Sequence, residues 1–149
     1  MPLKGIPSQL SPELLKVLAA MGHGDELILA DAHFPTASIC KSGPQEVRAD
    51  GLRATDLLKG VMQLLPLDQY EKYPVARMDL VPSDKEAGLK TPIWDAYQQI
   101  LNEAEKTQVQ IEYVERFAFY ERAKKAFAIV ATGETEQYAN IILKKGCLV

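Results

Sequence analysis

Two uninterrupted apolar runs, LILA at 27–30 within ELILAD and AFAIVA at 126–131, constrain the fold more than any other feature of this chain. Each has the length of a strand and neither alternates with polar residues, so each suggests a strand buried on both faces. A sheet covered on both faces needs helices above and below it. Such helices are legible on either side of the runs. Ser11 and Pro12 form an N-cap and first-turn pair, after which Leu14, Leu15, Leu18 and Met21 recur at helical spacing until Gly22. Leu57, Leu58, Val61, Leu64 and Leu65 mark a second helix ending at Pro66, and Thr91 with Pro92 repeats the cap signal before Trp94, Tyr97, Ile100 and Leu101. EVRA at 46–49, PVARMDLVP at 74–82, VQIEYVE and NIILKK read as further strands, Phe117 to Lys125 as a short helix, and Phe34 to about Pro44 as a loop. Helices alternating with strands predict an α/β fold: a single layered domain over residues 1–149, with a central sheet flanked by helices.

Composition narrows the function. A chain of 149 residues, 47% hydrophobic and 25% charged, with no low-complexity tract, has the material for one substantial core. Its net charge of -3 argues against a nucleic-acid module, which would carry a basic face. The apolar runs are too short to cross a membrane, and MPLKGIPSQLSPELL lacks the apolar segment of a signal peptide, so the expected address is cytoplasmic. Cys40 and Cys147 are too few for a disulfide framework and have no metal-ligand spacing. There is no phosphate-binding Gly-Lys-Ser/Thr loop, dinucleotide fingerprint, Gly-x-Ser-x-Gly elbow or His/Cys cluster; the expectation is no metal and no cofactor.

What remains is acid/base and polar chemistry. His23 stands between Gly22 and Gly24, where small neighbours let a small molecule approach an imidazole that trades protons near neutral pH. The same GHG triplet reads equally well as a helix C-cap with a solvated histidine. His33, two residues past the strand, reads as a loop histidine. Asp31 closes the apolar strand, at the kind of strand end where α/β ligand sites form, although a turn aspartate reads the same way. Asp68, in LLPLDQY, follows a helix and by itself reads as a loop residue. In YAN at 138–140, an extended backbone would point Tyr138 and Asn140 to one side, offering a phenol and an amide to a neutral polyhydroxylated ligand. Arg116 and Tyr120 share a helix face at i, i+4. Phe117 and Phe119 read as core, and the Lys124–Lys125 and Lys144–Lys145 pairs as solvated faces.

Taken in order, LKGIP, MGHGDELILADAHFP, RADGL, LLPLD, PVARM, FYERAKKAFAIVATGE and YANIILKKG resemble the L-fucose mutarotase and D-ribose pyranase family over almost the whole chain. The FYERAKKAF block is similar to its fucose branch. The resemblance implies an α/β fold, a homo-oligomer with the site near a subunit contact, and a small neutral monosaccharide, L-fucose, as partner. It further implies that His23 and Asp68 are catalytic and that Asp31, Met78, Tyr120, Tyr138 and Asn140 bind the sugar, with no firm role for Arg116. The activity implied is exchange of the α and β anomers by ring opening and reclosure. The alternatives are pyranose/furanose interconversion of ribose, or a sugar-binding oligomer without catalysis.

Overall fold

The two apolar runs lie side by side at the centre of the molecule. In the computed structural model, which describes residues 2–149, β1 (Glu26–Ala30) and β5 (Ala128–Thr132) pair in parallel, with Leu27 opposite Ala128 and Ala30 opposite Ala131. β2 (Gln45–Ala49) adds to the free side of β5, again in parallel. On the other side of β1 comes β6 (Ile141–Lys144), which is antiparallel to β1 and to β3 (Val75–Met78), and β4 (Ile111–Val114) closes that edge parallel to β3. The order is β2-β5-β1-β6-β3-β4. Five strands therefore share a direction, and the loops leaving them gather at one end of the sheet.

Alternation along the strands feeds two cores. Leu27 and Leu29 face one layer, made by α1 (Pro12–Ala20), α3 (Ala54–Met62) and α5 (Pro92–Glu105) through Leu14, Val17, Leu57, Leu58, Tyr97 and Leu101. Ile28 and Ala30 face the other, where α2 (Thr36–Cys40) and α6 (Arg116–Ala123) contribute Ile39, Phe119 and Ala123. Burial on both faces is why these strands carry no polar alternation.

The local signals for α1 act as read: the Ser11 hydroxyl accepts from the Leu14 N–H at 3.1 Å. Several expectations are corrected. The stretch after Phe34 holds α2. Residues after Met78 leave the sheet, and Pro82, which has no N–H to lose, starts a further short helix, α4 (Pro82–Glu86). α3 ends at Met62, so Leu64 and Leu65 belong to the turns after it. Thr91 makes no side-chain cap bond. Phe117 is 65% exposed, outside the core that holds Phe119. Lys145 is not a solvated lysine: its Nζ donates to the Leu18 and Met21 carbonyls at 2.7 and 2.6 Å, capping the end of α1.

Candidate active site

The gathered strand ends enclose a cavity of about 290 Å3, at the low end of the range for small-molecule pockets. Asp31 enters it from the end of β1, Met78 from the end of β3, Arg116 and Tyr120 from one face of α6, and Tyr138 and Asn140 from the loop leading into β6. Phe34, His33, Asp84 and Gln137 complete the wall. Carboxylates, hydroxyls and an amide share its wall with apolar surface, to which Phe34 and Met78 contribute.

Asp31 is buried and its carboxylate is already engaged: Oδ1 accepts from the His33 N–H at 3.0 Å and Oδ2 from the Ala139 N–H at 3.3 Å. Burial pushes its carboxyl above the ordinary aspartate value, against the pull of those backbone donors. Its own N–H donates to Asn140 Oδ1 at 2.8 Å, which fixes the amide with its NH2 as the free donor. The Tyr120 hydroxyl accepts from Arg116 Nε at 3.1 Å, leaving its own proton available, while the Phe34 ring meets its ring edge-on at 5.7 Å. The Tyr138 hydroxyl donates to the Asp84 carboxylate, and burial followed by that bond pushes the phenol's pKa up.

Tyr138 and Asn140 do reach one cavity, but not through an extended backbone. Tyr138 has φ +60, in the left-handed region, a conformation costing a non-glycine residue on the order of 1–3 kcal/mol. The chain reverses there, so the expectation of an extended YAN is wrong in its route.

His23 and Asp68 meet each other but not this cavity. Gly22 to Asp25 form a tight turn, with the Asp25 N–H donating to the Gly22 carbonyl at 3.1 Å and Gly24 at φ +89, the pattern of a type II turn with His23 at its second position. α1 has already ended at Met21 in extended backbone, so GHG is not its C-cap. Imidazole Nε2 lies 2.9 Å from Asp68 Oδ1. A carboxylate only accepts, so Nε2 carries the hydrogen and Nδ1 is left free. Burial would raise the Asp68 carboxyl, but bonds from His23 and the Tyr70 N–H, with the charge of Lys144, outweigh it and hold it below the usual value. Asp68 is held against the end of β6 by its N–H on the Lys144 carbonyl at 3.0 Å, where Gly146 passes so close that a Cβ would lie 2.6 Å from Asp68 Cα.

His23 precedes β1 and Asp68 lies beside the last residue of β6, whereas the cavity follows β1. The seven residues from Gly24 to Ala30, at about 3.3 Å each, separate the pair from the cavity by about 20 Å. All five residues expected to bind sugar converge, and the two expected to be catalytic form a second cluster at the opposite end of the sheet. Arg116, legible only as sharing a helix face with Tyr120, and His33, legible only as a loop histidine, also line the cavity; Phe34, Asp84 and Gln137 line it without having been candidates. A Val-Pro-Ser-Asp start to a helix was the available signal for Asp84. Among the described residues, no group of three or more His, Cys, Asp or Glu could hold a metal ion, and no helix is long and apolar enough to cross a membrane.

Comparison with known proteins agrees with this architecture. Residues 4–148 match the model of the RbsD / FucU transport protein family. The chain is similar to the fucose mutarotase of Mus musculus, with 65% identity over 148 residues covering 98% of this chain and 95% of the mouse protein. Its fold superposes on the crystal structure of a fucose mutarotase from Streptococcus pneumoniae in complex with L-fucose, with a TM-score of 0.90 and 46% identity over 99% of this chain and 100% of that one. Bacillus subtilis RbsD, complexed with D-ribose, is more distant: TM-score 0.69 and 26% identity, with 100% of each chain covered. With strand order, cavity and nearly every residue inside the matched span, the chain belongs to the RbsD / FucU family.

Proposed function

We propose that this protein interconverts the α and β anomers of L-fucose, as a cytoplasmic mutarotase. The observation that carries the reading is the convergence of Asp31, Met78, Tyr120, Tyr138 and Asn140 on one cavity, in a chain similar to a mutarotase solved with L-fucose. The free thiols of Cys40 and Cys147 suit a reducing compartment.

Anomer exchange needs two proton transfers and positioning. An acid protonates the ring oxygen O5 while a base takes the proton of the anomeric hydroxyl; the C1–O5 bond breaks and C1 becomes an aldehyde. Rotation about C1–C2 turns the other face of the aldehyde toward O5. The O5 hydroxyl then adds to C1, giving its proton back, and the carbonyl oxygen is reprotonated. Each proton partner is worth about 10² to 10⁴-fold in rate. In our reading His23 is the principal acid/base group, through Nδ1, held by Asp68, and Asp68 or a tyrosine handles the second proton. Asp31, Tyr138 and Asn140 hold the hydroxyls, Tyr120 offers its free proton, and Met78 with Phe34 faces the methyl of the deoxy sugar.

Because His23 and the cavity of its own chain lie at opposite ends of the sheet, we place the working site between copies. In a homo-oligomer, one copy's His23–Asp68 pair covers the cavity of the next. The pair is suited to a contact: the His23 side chain is 45% exposed, and Tyr70 beside it is 77% exposed.

The test is saturation-transfer NMR on equilibrated L-fucose, with wild-type protein and His23→Ala at equal concentration. Accelerated exchange that the substitution abolishes is the expected result. Absence of acceleration by folded wild-type protein would instead leave a sugar-binding oligomer, and faster ring interconversion of D-ribose than anomer exchange of L-fucose would favour the pyranase reading.

A further inference from the structure

Helix α5 lies outside the cavity, yet it holds the backbone of the residues that enter it. Trp94 and Tyr97, three apart and so on one face of α5, donate to consecutive carbonyls of the loop before β6: indole Nε1 to the Tyr138 carbonyl at 2.8 Å, and the Tyr97 hydroxyl to the Ala139 carbonyl at 2.6 Å. Neither side chain lines the cavity. The bonds fall on Tyr138, which stands in the left-handed region, and on its neighbour. A strained conformation persists only where its surroundings over-determine it. The indole is itself fixed, since the buried Arg77 guanidinium stacks 3.2 Å from its ring centre, with Tyr113 at 3.9 Å on a second side of the cation. Tyr97 is almost fully buried, and burial pushes its hydroxyl's pKa up, which keeps it a donor.

We infer that Trp94 and Tyr97 are positioning residues for the sugar site, clamping Tyr138 in its left-handed conformation so that its phenol stands over the cavity beside Asp84. The inference rests on the fucose reading for its substrate. It assigns Trp94 a role that acts through Tyr138, so the two residues must be coupled rather than independent. Loss of the clamp releases the phenol and weakens sugar binding. It leaves the proton chemistry intact, so KM moves and kcat does not.

Trp94→Phe keeps an aromatic ring over Arg77 and removes only the N–H. The expected result is a rise in KM for L-fucose of about fivefold, the worth of one hydrogen bond, with kcat within about twofold. In a Tyr138→Phe background, Trp94→Phe is expected to add little further. Trp94 is also the chain's only tryptophan, so titrating L-fucose into unmodified protein is expected to change its emission with a midpoint matching KM, a response that Tyr138→Phe removes. An unchanged KM in Trp94→Phe, a loss that multiplies with that of Tyr138→Phe, or an emission blind to the sugar would each overturn the clamp; the emission titration decides it alone if the variant does not fold. Anomer exchange by the wild-type protein is measured beside these, so failure of the fucose reading appears there and failure of the clamp does not.

Discussion

Met78 and Phe34 are the two apolar residues lining the cavity, so the proposed fucose reading makes the sugar's methyl the group they would discriminate. Burying one methyl is worth about 0.8 kcal/mol, or about fourfold. D-Arabinose presents the ring hydroxyls of L-fucose without that methyl, so wild-type protein is expected to favour L-fucose over it by about fourfold in kcat/KM. Met78→Ala should erase most of that preference while changing D-arabinose little, and competition kinetics with the two sugars checks it. Asp68 makes a different prediction, about pH. Its carboxyl is held below the ordinary value in the folded protein, so its contribution to stability is present above about pH 4 and is lost as pH falls through the depressed value. Asp68→Asn retains an oxygen for both hydrogen bonds and cannot titrate. The variant is expected to be less stable at pH 7, by about 1 kcal/mol because solvent screens the half-exposed His23, and to show a flatter decline below pH 4. Thermal melts of the two proteins across pH 3–7 measure this; parallel declines would remove Asp68 from the account.

Among the elements, the turn around His23 separates what the sequence made legible from what it did not. That a histidine between glycines has a special setting was readable, but not which glycine creates it. Gly24 needs φ +89, whereas at Gly22 a Cβ would meet Asp25 Oδ2 at an ordinary 3.6 Å. Gly24→Ala is therefore expected to cost about 1 kcal/mol or more and to reduce anomer exchange severely by re-aiming the imidazole, whereas Gly22→Ala should stay near wild type in both. Equal damage from the two, in melts and exchange rates, would mean that both glycines serve close approach. The main elements were legible for a related reason: β1, β5, α1 and α5 are driven by burial of apolar side chains, continuous in the strands and periodic in the helices, and that pattern is local. α4 and the Tyr138 turn were not, because a proline at 82 fits the end of a strand as well as the start of a helix, and a left-handed tyrosine carries no local signal. The carbonyls of Tyr138 and Ala139 accept from Trp94 and Tyr97, 44 and 42 residues away, which no window along the chain can see.

At the scale of the whole molecule, the His23–Asp68 pair and the cavity lie at opposite ends of the sheet, about 20 Å apart by strand length, and the proposed site joins them across a contact between copies. The resemblance carried seven site residues but not this division, because the sequence does not say which end of the sheet each residue occupies. Division between copies has a consequence that a self-contained site lacks. Let His23→Ala and Asp31→Asn each be nearly inactive. When the two variants are unfolded together in equal amounts and refolded, or exchange subunits, a site needs His23 from one chain and Asp31 from its neighbour. Chance pairing supplies both at about a quarter of the sites, so the mixture is expected to recover about a quarter of wild-type activity. Were both groups required from a single chain, mixing would restore nothing, since every chain carries one defect. Recovery should also vanish on dilution below the point at which copies separate, because each half-site then loses its complement. Activity that stays constant per chain through dissociation, with no recovery on mixing, would place the acid/base work on groups within the cavity itself.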